Sequence, residues 1–457
     1  MRRKHYQSGV ATIIVTLLLM LGTSIIVLYM NRSLIFEQKS SANQLRSTKS
    51  FEMAEAGIEW AAGMLNKPSD IGTDCIFLTT TNISFRKRYM QPNWNAATNP
   101  NTDAAPVTNV FPGCKVSGTT LTCSCPAVPA TTTTAAASLG STVYPGFTVA
   151  FAAVLSDPSV PGGATDVEAI RVTATGCTDY SSACAPGTAT SSTGPDAVAT
   201  VTAIIKLRPT VRAAPSAALT CGNNCSLSGS FSVTNTDPST NGILIDAGGT
   251  ASASSSVLTT LPGLPSANAV LVSDSSLSTL YTADPTCSNS AMFSAYFGST
   301  ISAYVASSST KSIPNCSTAN TCGGLLGAAY NDGWRSFYFP DGMALNNSAP
   351  FKVLGSASDP VTIVAPAAID INGTMNIYGL VFSNDATLGD LGTGSSTIHG
   401  ALVACGSFNS NGNGNITYDG KALLNSRRAT ALAVRVLGSW TDACKLSATN
   451  PPVLSCN

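Results

Sequence analysis

The sequence predicts an α+β half followed by an all-β half. One long N-terminal helix lies on a small antiparallel sheet, and a domain resembling a parallel β-helix follows. Three observations predict this. The uncharged apolar run Val10–Met30 passes, without a proline or a turn cluster, into a one-sided helical pattern that lasts to Leu65. Segments between Phe147 and Leu207 alternate apolar and polar residues with period two. Beyond Leu219 charges thin out, and short aliphatic runs recur between Gly, Ser and Asn corners at a spacing of about 20 residues.

The apolar run comprises about 21 residues, so a helix over it is roughly 32 Å long, close to the thickness of a bilayer core. A secretory h-region is shorter, about 7–15 residues, and ends in a small-residue cleavage site. No such site follows here, and Asn31-Arg32 leads on into helical sequence. Phe51, Ala54, Ile58, Ala61 and Leu65 recur at helical spacing as one apolar stripe, predicted to pack on the sheet. Arg46, Lys49, Glu52, Glu55 and Glu59 fall off the stripe, and Pro68 ends the pattern. A single helix over residues 10–67 reaches roughly 85–90 Å. The plain reading is a membrane anchor continued by a juxtamembrane helix.

Residues 68–212 read as loops and short strands. "FTVAF" puts Phe147, Val149 and Phe151 on one face. "VEAIRVTAT" does so for Ile170, Val172 and Ala174, and "AVATVTAIIKLRP" for Val201, Ala203, Ile205 and Leu207. Three such strands can cover the helix stripe, which neither element buries alone. "VPATTTTAAAS" (Val128–Ser138) reads as a surface loop.

Residues 213–457 have a different texture. "IYGLVF" and "IHGALV" start at Ile377 and Ile398, about 21 positions apart, and "ITYDG" follows at Ile416. "LSGSFSV" (Leu227–Val233) and "GILIDAGG" (Gly242–Gly249) are upstream candidates. Inward aliphatics with Gly and Asn corners predict stacked parallel turns, with an antiparallel sandwich of short strands as the alternative. Residues 285–340 interrupt the pattern as an inserted excursion. Within it Phe293, Phe297, Ile301 and Val305 predict one helix over Ser290–Val305.

Charged residues make up 11% of the 457 and the formal net charge is zero, against about 25% charged in an ordinary soluble domain. There is no basic field for nucleic acid, and no nucleic-acid partner is expected. Fourteen cysteines, many in close sequence pairs, suggest disulfides and an oxidising compartment. Cys177 with Cys184, Cys221 with Cys225, and Cys316 with Cys322 are local candidates. Among Cys114, Cys123 and Cys125 an internal pair leaves one thiol for Cys75, with a four-thiolate zinc site as the alternative.

Little in the sequence points to chemistry. It holds no phosphate loop, no G-x-S-x-G and no H-E-x-x-H. His5 and His399 are the only imidazoles, and the alternation with Ile398 puts His399 on a solvent face. Asp370, Asp385, Asp390 and Asp419 show no pairing suited to polysaccharide cleavage. "DINGT" (Asp370–Thr374) and "NSNGNGNITYDG" (Asn409–Gly420) suit calcium and turns equally. No catalytic residue, metal or cofactor is expected.

The N-terminal residues carry a resemblance. A basic leader, "MRRKHYQSG", ends in glycine, an apolar helix follows, and then "FEMAEAGIEWAAGML" with Ala54-Glu55-Ala56-Gly57. In this order they resemble type IV pilins and, among these, the PilX-like minor pilins. "VLGSWTDAC" (Val436–Cys444) resembles the closing stretch of large PilX-like proteins. The resemblance implies that residues 1–9 are a leader cut by prepilin peptidase between Gly9 and Val10, that Val10 is N-methylated, and that residues 68–212 form a pilin-like α+β domain. Val10, Ile14, Leu18, Ile25 and Met30 then lie first in the inner membrane and later in a filament core. Arg2, Arg3 and Lys4 favour a cytoplasmic N-terminus, so the rest faces the periplasm. Most pilins have a glutamate where Ile14 stands; the PilX-like group tends to lack it. The implied role is a priming or tip subunit contacting other minor pilins, the major pilin and a tip adhesin. A pilus-tip adhesin head and a tip pseudopilin of a type II secretion system are the alternatives.

Overall fold

The computed structural model describes residues 8–78, 84–90, 110–126, 135–136, 144–155, 165–180, 184, 197–254, 256–288, 291–385, 387–388, 394–442, 444–446 and 454–456. Its first helix, α1, spans Ser8–Leu65, 58 residues in one piece. At its end Asn66 and Lys67 donate to the carbonyls of Gly63 and Met64, which tightens the last turn before Pro68 forbids another. Arg2, Arg3, Lys4 and His5 lie outside the described residues.

The C-terminal part of α1 rests on a six-stranded antiparallel sheet. Gly146–Leu155, Thr165–Cys177 and Val198–Arg208 form its centre. The hairpin of Gly113–Ser117 and Thr120–Ser124 flanks one side. Leu432–Arg435 closes the other side by pairing with Val198–Arg208. A strand from the C-terminal end thus sits in this sheet rather than with the parallel strands before it. Phe147, Val149, Phe151, Val172 and Ala203 are buried under α1, as period-two alternation requires. Of the expected loop Val128–Ser138 only residues 135–136 are described, pairing with Val110–Phe111; the rest lies outside the described residues.

Every pairing described between Leu219 and Tyr418 is parallel. The spatial order is not the chain order. One ladder runs Thr310–Ser312, Ser336–Tyr338, Val361–Ala365, Asn376–Ser383, Thr397–Ala404. Leu219–Cys221 then pairs with Thr397–Ala404, and Ile245–Ala247 with Leu219–Cys221. The chain therefore enters in the middle of the stack, climbs to one end, crosses back through 272–309 and climbs again to where it began. Ile377, Ile398 and Ile416 are in register and buried, so the sequence repeat and the ladder repeat coincide. Gly379 and Gly400 lie side by side with φ of 133° and 145°. A Cβ on Gly400 would fall 1.9 Å from the Gly379 carbonyl oxygen, so the two strands bend together at a point only glycine allows.

Past that bend the outward side chains Leu380, Phe382 and Val403 are buried under helices. The single helix expected over Ser290–Val305 is two, Ala291–Phe297 and Ile301–Val305. Gly298 takes φ of 64° between them, and the Thr300 hydroxyl caps the second by accepting from the Ala303 N–H. Phe293 and Phe297 stack on each other, and each meets Phe382 edge-on. Cys287 is bonded to Cys405 and pins this crossing to the ladder. Within 285–340, Thr310–Ser312 and Ser336–Tyr338 are themselves ladder strands.

Candidate functional site

The N-terminal half of α1 projects away from both sheets. Gly9 and Val10 lie on its first turn, and the Val10 side chain is outside the described residues. Ile14 is 53% exposed, and Leu18, Ile25 and Met30 are exposed in the same way. The most apolar window of this helix has a mean hydropathy of 2.5, and it is long and apolar enough to cross a membrane. Each large apolar side chain left in water costs about 1.5–3 kcal/mol relative to burial. This segment therefore requires lipid or other protein around it. Its few hydroxyls fit such surroundings, because Thr16, Thr23 and Ser24 donate to carbonyls of their own helix.

The other half of α1 is held by the predicted stripe. Ala54, Ile58, Ala61 and Leu65 are buried, and Phe51 is partly buried with its ring edge-on to Trp440. Glycines set the distance. A Cβ on Gly57 would lie 2.9 Å from the Ala174 Cβ. A Cβ on Gly176 would lie 2.1 Å from the Ser50 carbonyl oxygen and 2.3 Å from the Ala54 nitrogen. Helix and sheet thus touch backbone to backbone, and Gly57 of the Ala54–Gly57 patch is explained by packing. Glu55 of the same patch stays exposed.

Sequence reasoning missed a polar junction between α1, the short helix α2 (Phe85–Tyr89) and the parallel region. Arg86 donates to the carbonyls of Leu65, Arg428 and Ala431. Burial lowers its pKa to about 10. The Asn66 amide donates to the Ala433 carbonyl and accepts from the Ala433 N–H. Arg86 and Asn66 together occupy the open edge of the last sheet strand, where another chain could otherwise pair. Asp359 receives Arg335 at 2.8 and 3.0 Å and Lys87 at 3.1 Å. Burial opposes ionisation of Asp359, but the two cations outweigh it and hold its pKa below the usual carboxylate range. No local sequence signal joins residues 87, 335 and 359.

The structure joins Cys177 to Cys184, Cys221 to Cys225, and Cys316 to Cys322. It also joins Cys114 to Cys123 and leaves Cys125 for Cys75, so these four thiols form two bridges rather than a zinc site. His399 lies on the outer face of its strand but is half-buried, stacked on Tyr378. Burial lowers its pKa, partly offset by Asp419. Asp419 caps the helix Gly420–Ala429, Asp385 accepts from the Thr387 N–H, and Asp370 accepts from Asn372. Asp390 lies outside the described residues. Among the described residues no group of three or more His, Cys, Asp or Glu is placed to hold a metal.

Residues 8–59 match the PilX N-terminal family model. No curated protein matches the chain in sequence. Among solved structures, the competence-associated pilin ComZ from Thermus thermophilus aligns over 87% of this chain and 97% of its own at 10% identity, with a TM-score of 0.18. That score is too low to argue a shared fold.

Proposed function

We propose that this chain, whose first helix carries a PilX N-terminal segment, is a minor pilin of a type IV pilus that primes assembly or sits at the tip. The observation that carries the reading is one helix with two unlike halves, matched by that family over residues 8–59. Residues 10–30 hold the precursor in the inner membrane as a single pass with a periplasmic C-terminus. After removal of residues 1–9 by prepilin peptidase and methylation of Val10, the same segment exchanges lipid for neighbouring pilin helices. Both surroundings are apolar, so the segment itself need not change.

Ile14 and the parallel region favour the tip. A buried carboxylate in an apolar bundle costs several kcal/mol unless paired. Repeating pilins offset that cost by meeting a neighbour's N-terminal amine. With Ile14 this subunit supplies an amine but no carboxylate, which suits a unit present once. The parallel strands read as turns of a β-solenoid, too bulky to repeat along a shaft. Immunogold labelling tests the placement: gold is expected at pilus ends, and even labelling along shafts at major-pilin density contradicts it. A second test uses the topology. Leu432 pairs directly with Arg208, so residues 209–431 can be replaced by a short hairpin turn. Loss of pili in that variant supports priming through the parallel region, whereas normal piliation with lost attachment supports an adhesive head.

A further inference from the structure

The corners of the parallel strands line an open groove that the assembly role does not use. Asn346, Asn372, Thr374, Ser395 and Asn413 line it, together with Gly373 and Gly394. Strand register aligns these positions: Leu345 pairs with Ile371, Asn376 with Thr397, and Thr397 with Asn415. Successive turns are thus about 4.8 Å apart along the groove. Gly394 admits no side chain, since a Cβ there would fall 1.8 Å from the Gly373 carbonyl oxygen. The lining contains only Asn, Ser, Thr and Gly.

Its polar groups are oriented but not used up. The Asn347 carbonyl oxygen accepts from the Thr374 N–H and from Lys352, which fixes the amide and leaves its Nδ2 facing no described partner. The Asn413 amide and the Ser395 hydroxyl bond to no other described residue.

The groove continues onto a strand face of the same character. Asn376 and Tyr378, then Thr397 and His399, alternate with the inward Ile377 and Ile398. Asn415 accepts from Ser232 at 2.6 Å and donates to Thr397 at 3.5 Å, and His399 bonds Asn376 at 3.3 Å. Tyr378 and His399 stack with centroids 4.4 Å apart.

Fixed amides and hydroxyls beside an aromatic pair match a ligand with many neutral hydroxyls and apolar C–H faces. The lining residues themselves carry no charge; the nearby Lys352 donates to Asn347, and Asp370 accepts from Asn372. We propose that this groove and the adjoining strand face bind a neutral glycan chain lying along the stack. The proposal goes beyond pilus assembly and does not rest on it.

The test uses the full chain in lauryldimethylamine oxide, a detergent without a sugar headgroup, on an array of neutral, sialylated and sulfated glycans. Neutral glycans are expected to be retained, with little change at about 0.5 M salt because no ion pair is screened. Asn413→Lys puts an exposed cation in the groove and Tyr378→Ala removes the platform. Each is expected to weaken neutral binding by at least about tenfold. Retention of only charged glycans, retention of none, or undiminished neutral binding by both variants would overturn the proposal.

Discussion

Gly57 and Gly176 decide how closely α1 lies on its sheet, and they decide it differently. Gly57→Ala gains up to about 1 kcal/mol of helix propensity, while the new methyl meets the Ala174 side chain at an overpacking cost of about 1–3 kcal/mol. Gly176→Ala meets backbone atoms of α1 that cannot swing aside, and about 3 kcal/mol or more is expected. Unfolding of the full chain in detergent should rank Gly176→Ala well below Gly57→Ala, with both below the parent. A second residue carries a pH signature. Asp246 has one buried oxygen with no partner among the described residues, and burial, then Asp274, push its pKa up to about 6. A raised folded pKa means that the neutral acid stabilises the fold below the unfolded value of about 3.9 and that this is lost as pH rises through 6. Asp246→Asn should therefore add stability on the order of 1 kcal/mol near pH 7.5, allowing for solvent screening, and add little near pH 4. Equal gains at both pH values would contradict the assignment. The stripe of Phe51, Ala54, Ile58, Ala61 and Leu65 was legible because helical period is local. Gly57's purpose was not, because it exists only against Ala174 and Phe147.

At the scale of elements, the junction of α2 with the parallel region hangs on Asp359. Asp359→Asn leaves Arg335, only 7% exposed, without its anion, at a cost of about 3–5 kcal/mol. The depressed pKa of Asp359 sets the pH sense: the contribution is present above about pH 4 and is lost as pH falls through the folded value. Hydrogen exchange in the variant should rise at residues 84–90 and 428–433 while the sheet centre, residues 146–208, stays protected. Unchanged exchange at the junction would show that the bridge holds nothing. The three central strands were readable from period-two alternation. The helix expected over Ser290–Val305 broke because apolar spacing continues through Gly298 while the backbone turns there. Leu432–Arg435 is too short to show alternation, and its partner lies more than two hundred residues upstream.

For the whole molecule, the sequence repeat around Ile377, Ile398 and Ile416 revealed parallel stacking but not stacking order. Repeats that bury the same residues fit beside any other turn, so nothing local says that Leu219–Cys221 joins Thr397–Ala404. That order brings the chain's entry and exit together at the antiparallel sheet, where Val198–Arg208 and Leu432–Arg435 pair. The parallel region is therefore an insertion between two neighbouring strands, carried on a helix whose exposed apolar half is long and apolar enough to cross a membrane. That half is proposed to be a processed pilin segment, and intact-mass analysis of the protein from peptidase-competent cells decides whether it is. A chain beginning at N-methylated Val10, with Gly9→Leu left uncut, is predicted. A chain beginning near Ser33, or one that keeps Met1–Gly9 beside active peptidase, would contradict it.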